Sequence, residues 1–248
     1  MDRDPFFESD GVRPKGLALW TRRQAGLGSE PFKVESVLDH FGLGLDEVDD
    51  LPRASVLRLV DGQLRVQVRR GSLRQQRYNA CHELGHYLLA ATAKISFSRQ
   101  VRDLRFESYC NRYASNLLLP RPWLRDLVQD QEVQGRELNL SLAAVVSEHL
   151  QVSLLTTVIA LNEACGWNKV AVLWQSRAGQ WAPSNVIGPD CGLVDAAPET
   201  AAFLDKVGES ASRGSLPLVL GGRAIEVSAE AINAPGGCVS VFDRPRVA

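Results

Sequence analysis

The stretch from Leu73 to about Ala93 constrains this chain most, because alanine, leucine and tyrosine recur there on nearly every side of a helix. A helix that apolar all round belongs at the centre of a domain rather than on its surface. Yet midway along it reads His82-Glu83-Leu84-Gly85-His86. Residues four apart project from one helix face, about one turn apart. Two imidazoles so placed can grip one metal ion, and zinc accepts histidine nitrogen at about 2.0–2.1 Å. Glu83 sits beside that face, where its carboxylate can take a proton from an attacking water instead of ligating. The chain has 4 histidines, so half of them sit on this one turn. The bland alternative, two hydrogen-bonded histidines on a buried helix, leaves the glutamate without a role.

A catalytic zinc takes three protein ligands and keeps one position open. His40, His149 and numerous carboxylates could supply the third. Glu107 opens the next helix, Glu107-Ser108-Tyr109-Cys110-Asn111-Arg112-Tyr113-Ala114, which runs on to Leu117-Leu118-Leu119-Pro120. A glutamate one turn ahead of an asparagine lets the first bind metal while the second orients a ligand histidine through its other ring nitrogen. Spacing alone fits equally well an exposed first-turn carboxylate favoured by the helix dipole.

Taken together, Arg77-Tyr78-Asn79-Ala80-Cys81 leading into His82–His86, then Glu107-x-x-Cys110-Asn111-x-x-Ala114-x-x-Leu117-Leu118-Leu119-Pro120, resembles the ImmA/IrrE family of zinc metallopeptidases. The likeness is strong from about Arg74 to Pro120 and loose in the preceding hairpin and following helices. It implies a gluzincin-like site with His82, His86 and Glu107 as metal ligands, Glu83 as general base and Asn111 orienting a ligand histidine. Zn2+ is the implied ion, although such a ligand set also accepts Mn2+ or another divalent ion. It also implies the substrate class: an Xre-type helix-turn-helix repressor, cleaved to induce a stress, DNA-damage or mobile-element response. Two departures stand out. Cys81 occupies a place where the family usually has alanine, and reads as small buried filler. Arg69-Arg70 stand where the family often closes a strand with asparagine.

Around this centre the expected fold is α+β: a zincin-like core over 1–120, a helical, helix-turn-helix-like segment over 121–166, and a small α+β C-terminal domain over 167–248 in which some relatives carry a GAF-like sensor. The first thirty residues read as a poorly specified lead-in. Pro31–Leu43 reads as a short helix, and Asp46–Asp50 as a solvated acidic link. Period-two apolarity on both sides of Asp61-Gly62 predicts a hairpin, Val56–Val60 with Leu64–Val68. Helices are expected near Phe106–Leu119, Pro122–Asp130 and Ser141–Ala164, the last breaking at Gln151–Ser153. After Trp167 the expected strands are Val170–Trp174, Leu216–Leu220, Ala224–Val227 and Cys238–Phe242, around a helix at Pro198–Ser212.

Composition excludes more than it selects. With 28 Lys+Arg against 29 Asp+Glu the formal charge is -1, so no global field draws the chain to nucleic acid or anionic lipid. The longest nearly uncharged apolar run, Val152–Leu161, is short of the roughly 20 residues a bilayer requires. Met1–Arg13 lacks a signal-peptide core. The 5 cysteines (Cys81, Cys110, Cys165, Cys191, Cys238) fit no disulfide or zinc-knuckle spacing. A cytoplasmic protein without membrane attachment is the expectation.

The mechanism that follows is peptide hydrolysis, with the substrate extended along the Leu64–Val68 strand by main-chain hydrogen bonds. The four tyrosines (Tyr78, Tyr87, Tyr109, Tyr113) and His149 are candidates for an oxyanion donor, without a basis for choosing. Arg53, Arg58, Arg65, Arg69, Arg70, Arg74 and Arg77 crowd one segment with Asp61 as the one acid among them, either as a solvated face or as a basic rim to the cleft. The rival function is a DNA-binding regulator with a structural or sensory metal, read from Leu142–Ser153 and the helix after it. Against it, Leu154–Asn162 offers no Arg or Lys to phosphate or guanine, so direct DNA binding is not expected.

Overall fold

In the computed structural model, residues 13–28, 31–134, 137–188, 194–220, 222–235 and 237–243 are described. The architecture is mixed α+β, and the chain forms two units, one of residues 1–123 with 150–152, the other of 124–149 with 153–248.

The first unit begins with α1 (Pro14–Gln24), inside what reads from sequence as an unspecified lead-in. Its buried stripe is Leu17, Ala18, Thr21 and Arg22, half apolar and half polar, which is why periodicity does not reveal it. Thr21 Oγ1 meets the Tyr113 hydroxyl at 3.0 Å, and Arg22 Nη1 donates to the Leu117 carbonyl at 2.6 Å. A short α2 (Val34–His40) buries Val34, Val37 and Leu38.

Three strands follow: β1 (Gly44–Val48), β2 (Ser55–Val60) and β3 (Gln63–Arg69). The hairpin between β2 and β3 turns on Asp61 and Gly62, both at positive φ (48° and 77°), as a two-residue turn matched to strand twist requires. The acidic link is corrected. Residues 44–48 are a strand, paired parallel with β3 in the register Gly44↔Arg65 to Val48↔Arg69. Charge rather than apolar alternation fixes it there. Arg65 donates to both carboxylate oxygens of Asp46 (2.8 and 2.6 Å), which holds that carboxyl below its usual range, and Arg70 faces Glu47 and Asp49. The strand order is β1-β3-β2, with β3 in the middle.

α3 (Leu73–Ala93) crosses this sheet. Ser72 caps its start by accepting from Gln75 N, and Lys94 in the left-handed region ends it. Ala80, Cys81, Leu84, Leu88 and Leu89 are fully or almost fully buried, each leucine contributing about 1.5–3 kcal/mol of transfer free energy. α4 (Phe97–Arg102) and α5 (Leu104–Leu118) complete the unit, and α6 (Arg121–Val133) runs on from it.

In the second unit, α7 (Leu140–Leu150) and α8 (Leu154–Cys165) meet at 113°. Glu230 accepts from the Leu140 amide at the start of α7, and Asn162 near the end of α8 bonds both backbone groups of Lys169. Then come β4 (Lys169–Arg177), β5 (Gln180–Ile187), β6 (Val194–Ala196), α9 (Thr200–Leu204), β7 (Ser212–Leu220), β8 (Arg223–Ala234) and β9 (Gly237–Asp243). They make one antiparallel sheet in the order β5-β4-β9-β8-β7-β6. The helix expected over 198–212 is corrected to five residues, because the chain from Ser212 pairs with Ala231 and its neighbours on β8. Trp174, Leu204, Leu216, Leu218 and Phe242 form the core, with the Trp174 indole N–H satisfied by Ser240 Oγ at 2.8 Å. Among the described residues, no single helix is long and apolar enough to cross a membrane.

Candidate metal centre

Three side chains converge between α3 and α5. His82 Nε2 and His86 Nε2 lie 3.1 Å apart, His82 Nε2 is 3.3 Å from one Glu107 oxygen, and His86 Nε2 is 3.5 Å from the other. Tetrahedral ligands at zinc–nitrogen distances stand about 3.3 Å from one another. Among the described residues this is the group of His, Cys, Asp or Glu donors that could share a metal ion. His40 ends α2 with its ring edge-on to Phe41, and His149 lies in the last turn of α7. Neither belongs to the group.

The protons on the histidines argue for a cation. Gln100 is 1% exposed, and its amide nitrogen donates to the carbonyls of His86 (3.1 Å) and Ile95 (2.8 Å). Its oxygen must therefore face His86 Nδ1, at 2.7 Å, and that nitrogen must carry the proton. Asn111 Oδ1 meets His82 Nδ1 at 2.9 Å and also accepts from the Tyr78 hydroxyl at 3.3 Å. With both Nδ1 atoms donating, two bare Nε2 lone pairs face each other beside a carboxylate. A divalent cation resolves that arrangement, so the residues fit the ion. Burial first, and then His86, pull the His82 pKa below its ordinary value against the opposite pull of Glu83 and Glu107. A neutral imidazole is the form that ligates.

Glu83 is buried and does not join the donor group; its Oε1 accepts from Ser55 Oγ at 2.7 Å, at the start of β2. Gly85 lets the two helices approach. A Cβ there would stand 2.9 Å from Tyr113 Cδ1 and 3.3 Å from Cys110 Sγ, so any larger residue pushes α5, and Glu107 with it, away. Cys81 is wholly buried, and burial pushes its thiol up to about 12. It is inert filler, as its small size suggested.

The donors open onto a cleft of about 480 Å³ lined by Ser55, Val56 and Leu57 of β2, Tyr78, Phe97 and the histidines. Two expectations are corrected and one is narrowed. β3, expected to receive a substrate strand, has β1 on one side and β2 on the other, so its main-chain groups are already paired; β1 and β2 are the edge strands among the described residues, and β2 is the one lining the cleft. Of the tyrosines, Tyr78 lines the cleft, while Tyr109 and Tyr113 are buried. The arginine cluster is opposed by more than Asp61: Arg65 and Arg70 pair with the β1 acids, Arg69 donates to the Leu51 carbonyl, and buried Arg77 donates to Phe32 O at 2.5 Å. Ser55 and Gln100 were not foreseen. Each acts through a contact between segments distant in sequence, which no spacing rule reports.

A half-buried and a buried histidine and an acid donor, with a second glutamate beside them, make a group that could hold a metal ion. Residues 58–162 match the model of the peptidase family described as the IrrE N-terminal-like domain, so that stretch is similar to it. No curated protein matches the chain. A solved structure described as a Mycobacterium tuberculosis transcriptional regulator is similar, with TM-score 0.55 and 15% identity over 96% of this chain and 90% of that one. At that identity the likeness is one of fold alone.

Proposed function

We propose that the protein is a zinc-dependent endopeptidase in which His82, His86 and Glu107 hold the ion and Glu83 is the general base. The observation that carries this reading is the pair of facing Nε2 atoms, each made a bare donor by the amide oxygen behind its ring. When bound, a divalent ion supplies a Lewis acid and brings the pKa of water toward about 7. The chain's own groups supply the rest. Ser55 holds one oxygen of Glu83, leaving the other to take the proton of the attacking water and pass it to the leaving amine. A substrate segment lies extended against the free edge of β2, where main-chain hydrogen bonds fix its register and Val56, Leu57 and Phe97 meet its side chains. Such an edge selects an extended or locally unfolded segment over an intact helix.

In this reading the first unit is zincin-like, the helices of 121–166 are supporting structure, and the sheet of 167–248 is an accessory or GAF-like sensor domain. The substrate, by the family resemblance, is an Xre-type repressor, and the compartment is the cytoplasm, which suits the free cysteines Cys81, Cys110, Cys165 and Cys238. The 113° angle between α7 and α8 lies in the helix-turn-helix range of about 90–120°. However, α8 carries no Arg or Lys and buries Leu154, Thr157, Val158 and Leu161, so it is read as a packing helix rather than a recognition helix.

The test is co-incubation of the zinc-loaded protein with an Xre-type repressor, wild type beside Glu83→Gln. Wild type cleaves, and the variant keeps its metal but loses about 10²–10⁴-fold in rate. Equal cleavage by both would end the mechanism.

A further inference from the structure

The metal cleft has a different character at each end of its β2 wall. In the proposed reaction Ser55, whose Oγ donates to Glu83, stands level with the bond that is cut. Leu57, two residues beyond it, lines the cleft on one side, and Arg53, two residues before it, on the other. A substrate strand rises about 3.3 Å per residue, as β2 does, so its side chains about two places either side of the scissile bond come level with Leu57 and Arg53. The bend carrying Arg53 is anchored on both flanks. Leu51 O accepts from the Arg69 side chain, and Ala54 O accepts from Arg69 N at 2.8 Å and from Asn79 Nδ2 at 3.4 Å.

Of the seven arginines between residues 53 and 77, Arg53 is the one in this lining. Arg65 and Arg70 pair with the acids of β1, and Arg69 and Arg77 donate to carbonyls. Among the described residues, none bonds or pairs with the Arg53 side chain. The other formal charges in the lining are Glu83 and Glu107. On the proposed function, on which this inference rests, one divalent ion balances those two carboxylates. The Arg53 guanidinium is then the unanswered charge of the cleft, and the apolar walls of Pro52, Val56, Leu57 and Phe97 focus its field. A carboxylate answers it with two parallel hydrogen bonds, whereas a lysine there meets a like charge. We propose that Arg53 sets substrate choice: the protein takes extended segments with Asp or Glu about two places from the scissile bond on the Arg53 side and an apolar side chain on the Leu57 side.

The experiment uses short labelled peptides with Glu or Lys two places before, or two places after, one central bond, and leucine at the mirrored place. Binding to the zinc-loaded full chain carrying E83Q is read by fluorescence anisotropy, and cleavage is followed with the wild type. In one of the two orientations the Glu peptide binds, and is cleaved, about 3–10-fold better than its Lys counterpart, and added salt narrows the gap. R53Q removes the preference, R53E reverses it, and R177Q, on β4, leaves it unchanged. A reversal cannot arise from misfolding, because R53E then gains affinity for the Lys peptide. Equal binding of Glu and Lys peptides in both orientations overturns the inference, as does a preference that survives in R53Q and R53E, or binding of no peptide at all. Cleavage without a Glu preference removes Arg53 and leaves the peptidase reading standing. Selective binding of the Glu peptide without cleavage by the wild type does the opposite.

Discussion

The two units bury different things. In the first, the buried polar side chains include Arg22, Gln76, Arg77, Asn79, Glu83, His86, Gln100 and Asn116. In the second, among the described residues, they are Ser147, Thr157, Thr200 and Ser240, small hydroxyls that add no charge. Burying an amide or a charge costs free energy unless its partners are in place, so most of the first unit's buried polar groups are held by specific bonds. Gln100 illustrates it, with three hydrogen bonds fixing one amide behind one imidazole. The second unit is instead built on an apolar sheet core around Trp174. The oriented polar groups are those around the candidate metal centre.

Substitutions can break this contrast. Trp174→Ala should cost about 3–5 kcal/mol in denaturant unfolding of the second unit, yet leave metal binding by the first unchanged. Loss of metal together with stability would show that the sheet core also supports the site. Gln100→Leu makes the complementary test. It keeps the fold but should weaken metal affinity about 10–100-fold, read by competition with a chromophoric chelator. Unaltered affinity would reduce Gln100 to a packing residue. The smallest effect concerns pH. Burial raises the Cys238 thiol from about 9 to about 12, so the folded state holds that proton more tightly than the unfolded one. Its contribution to stability is full below pH 9 and is lost as pH rises toward 12. Unfolding midpoints should therefore fall between pH 8 and 10.5, and less steeply in Cys238→Ala; identical slopes would contradict the burial.

Much of the site was legible because it is local. His82, Glu83 and His86 lie on one turn, α3 spans the stretch whose composition marks it, and Asp61-Gly62 forms the predicted hairpin turn. What escaped depends on pairing across the chain. α1 hides because Thr21 and Arg22 occupy half its buried stripe, with partners about ninety residues away. β1 hides because its acids look solvated until β3 supplies Arg65. The substrate edge was misplaced because alternation identifies a strand but says nothing of strand order, and only the sheet shows β3 enclosed. Ser55 is one serine among many until it is found 2.7 Å from Glu83.

In the proposed site one divalent ion is held by His82, His86 and Glu107, with Glu83 beside it and not upon it. Metal content after equilibrium dialysis against zinc tests this directly. Wild type and Glu83→Gln should each retain about one equivalent, and Glu107→Ala should lose high-affinity binding while remaining folded. Full retention by Glu107→Ala, or release of the ion by Glu83→Gln, would contradict it.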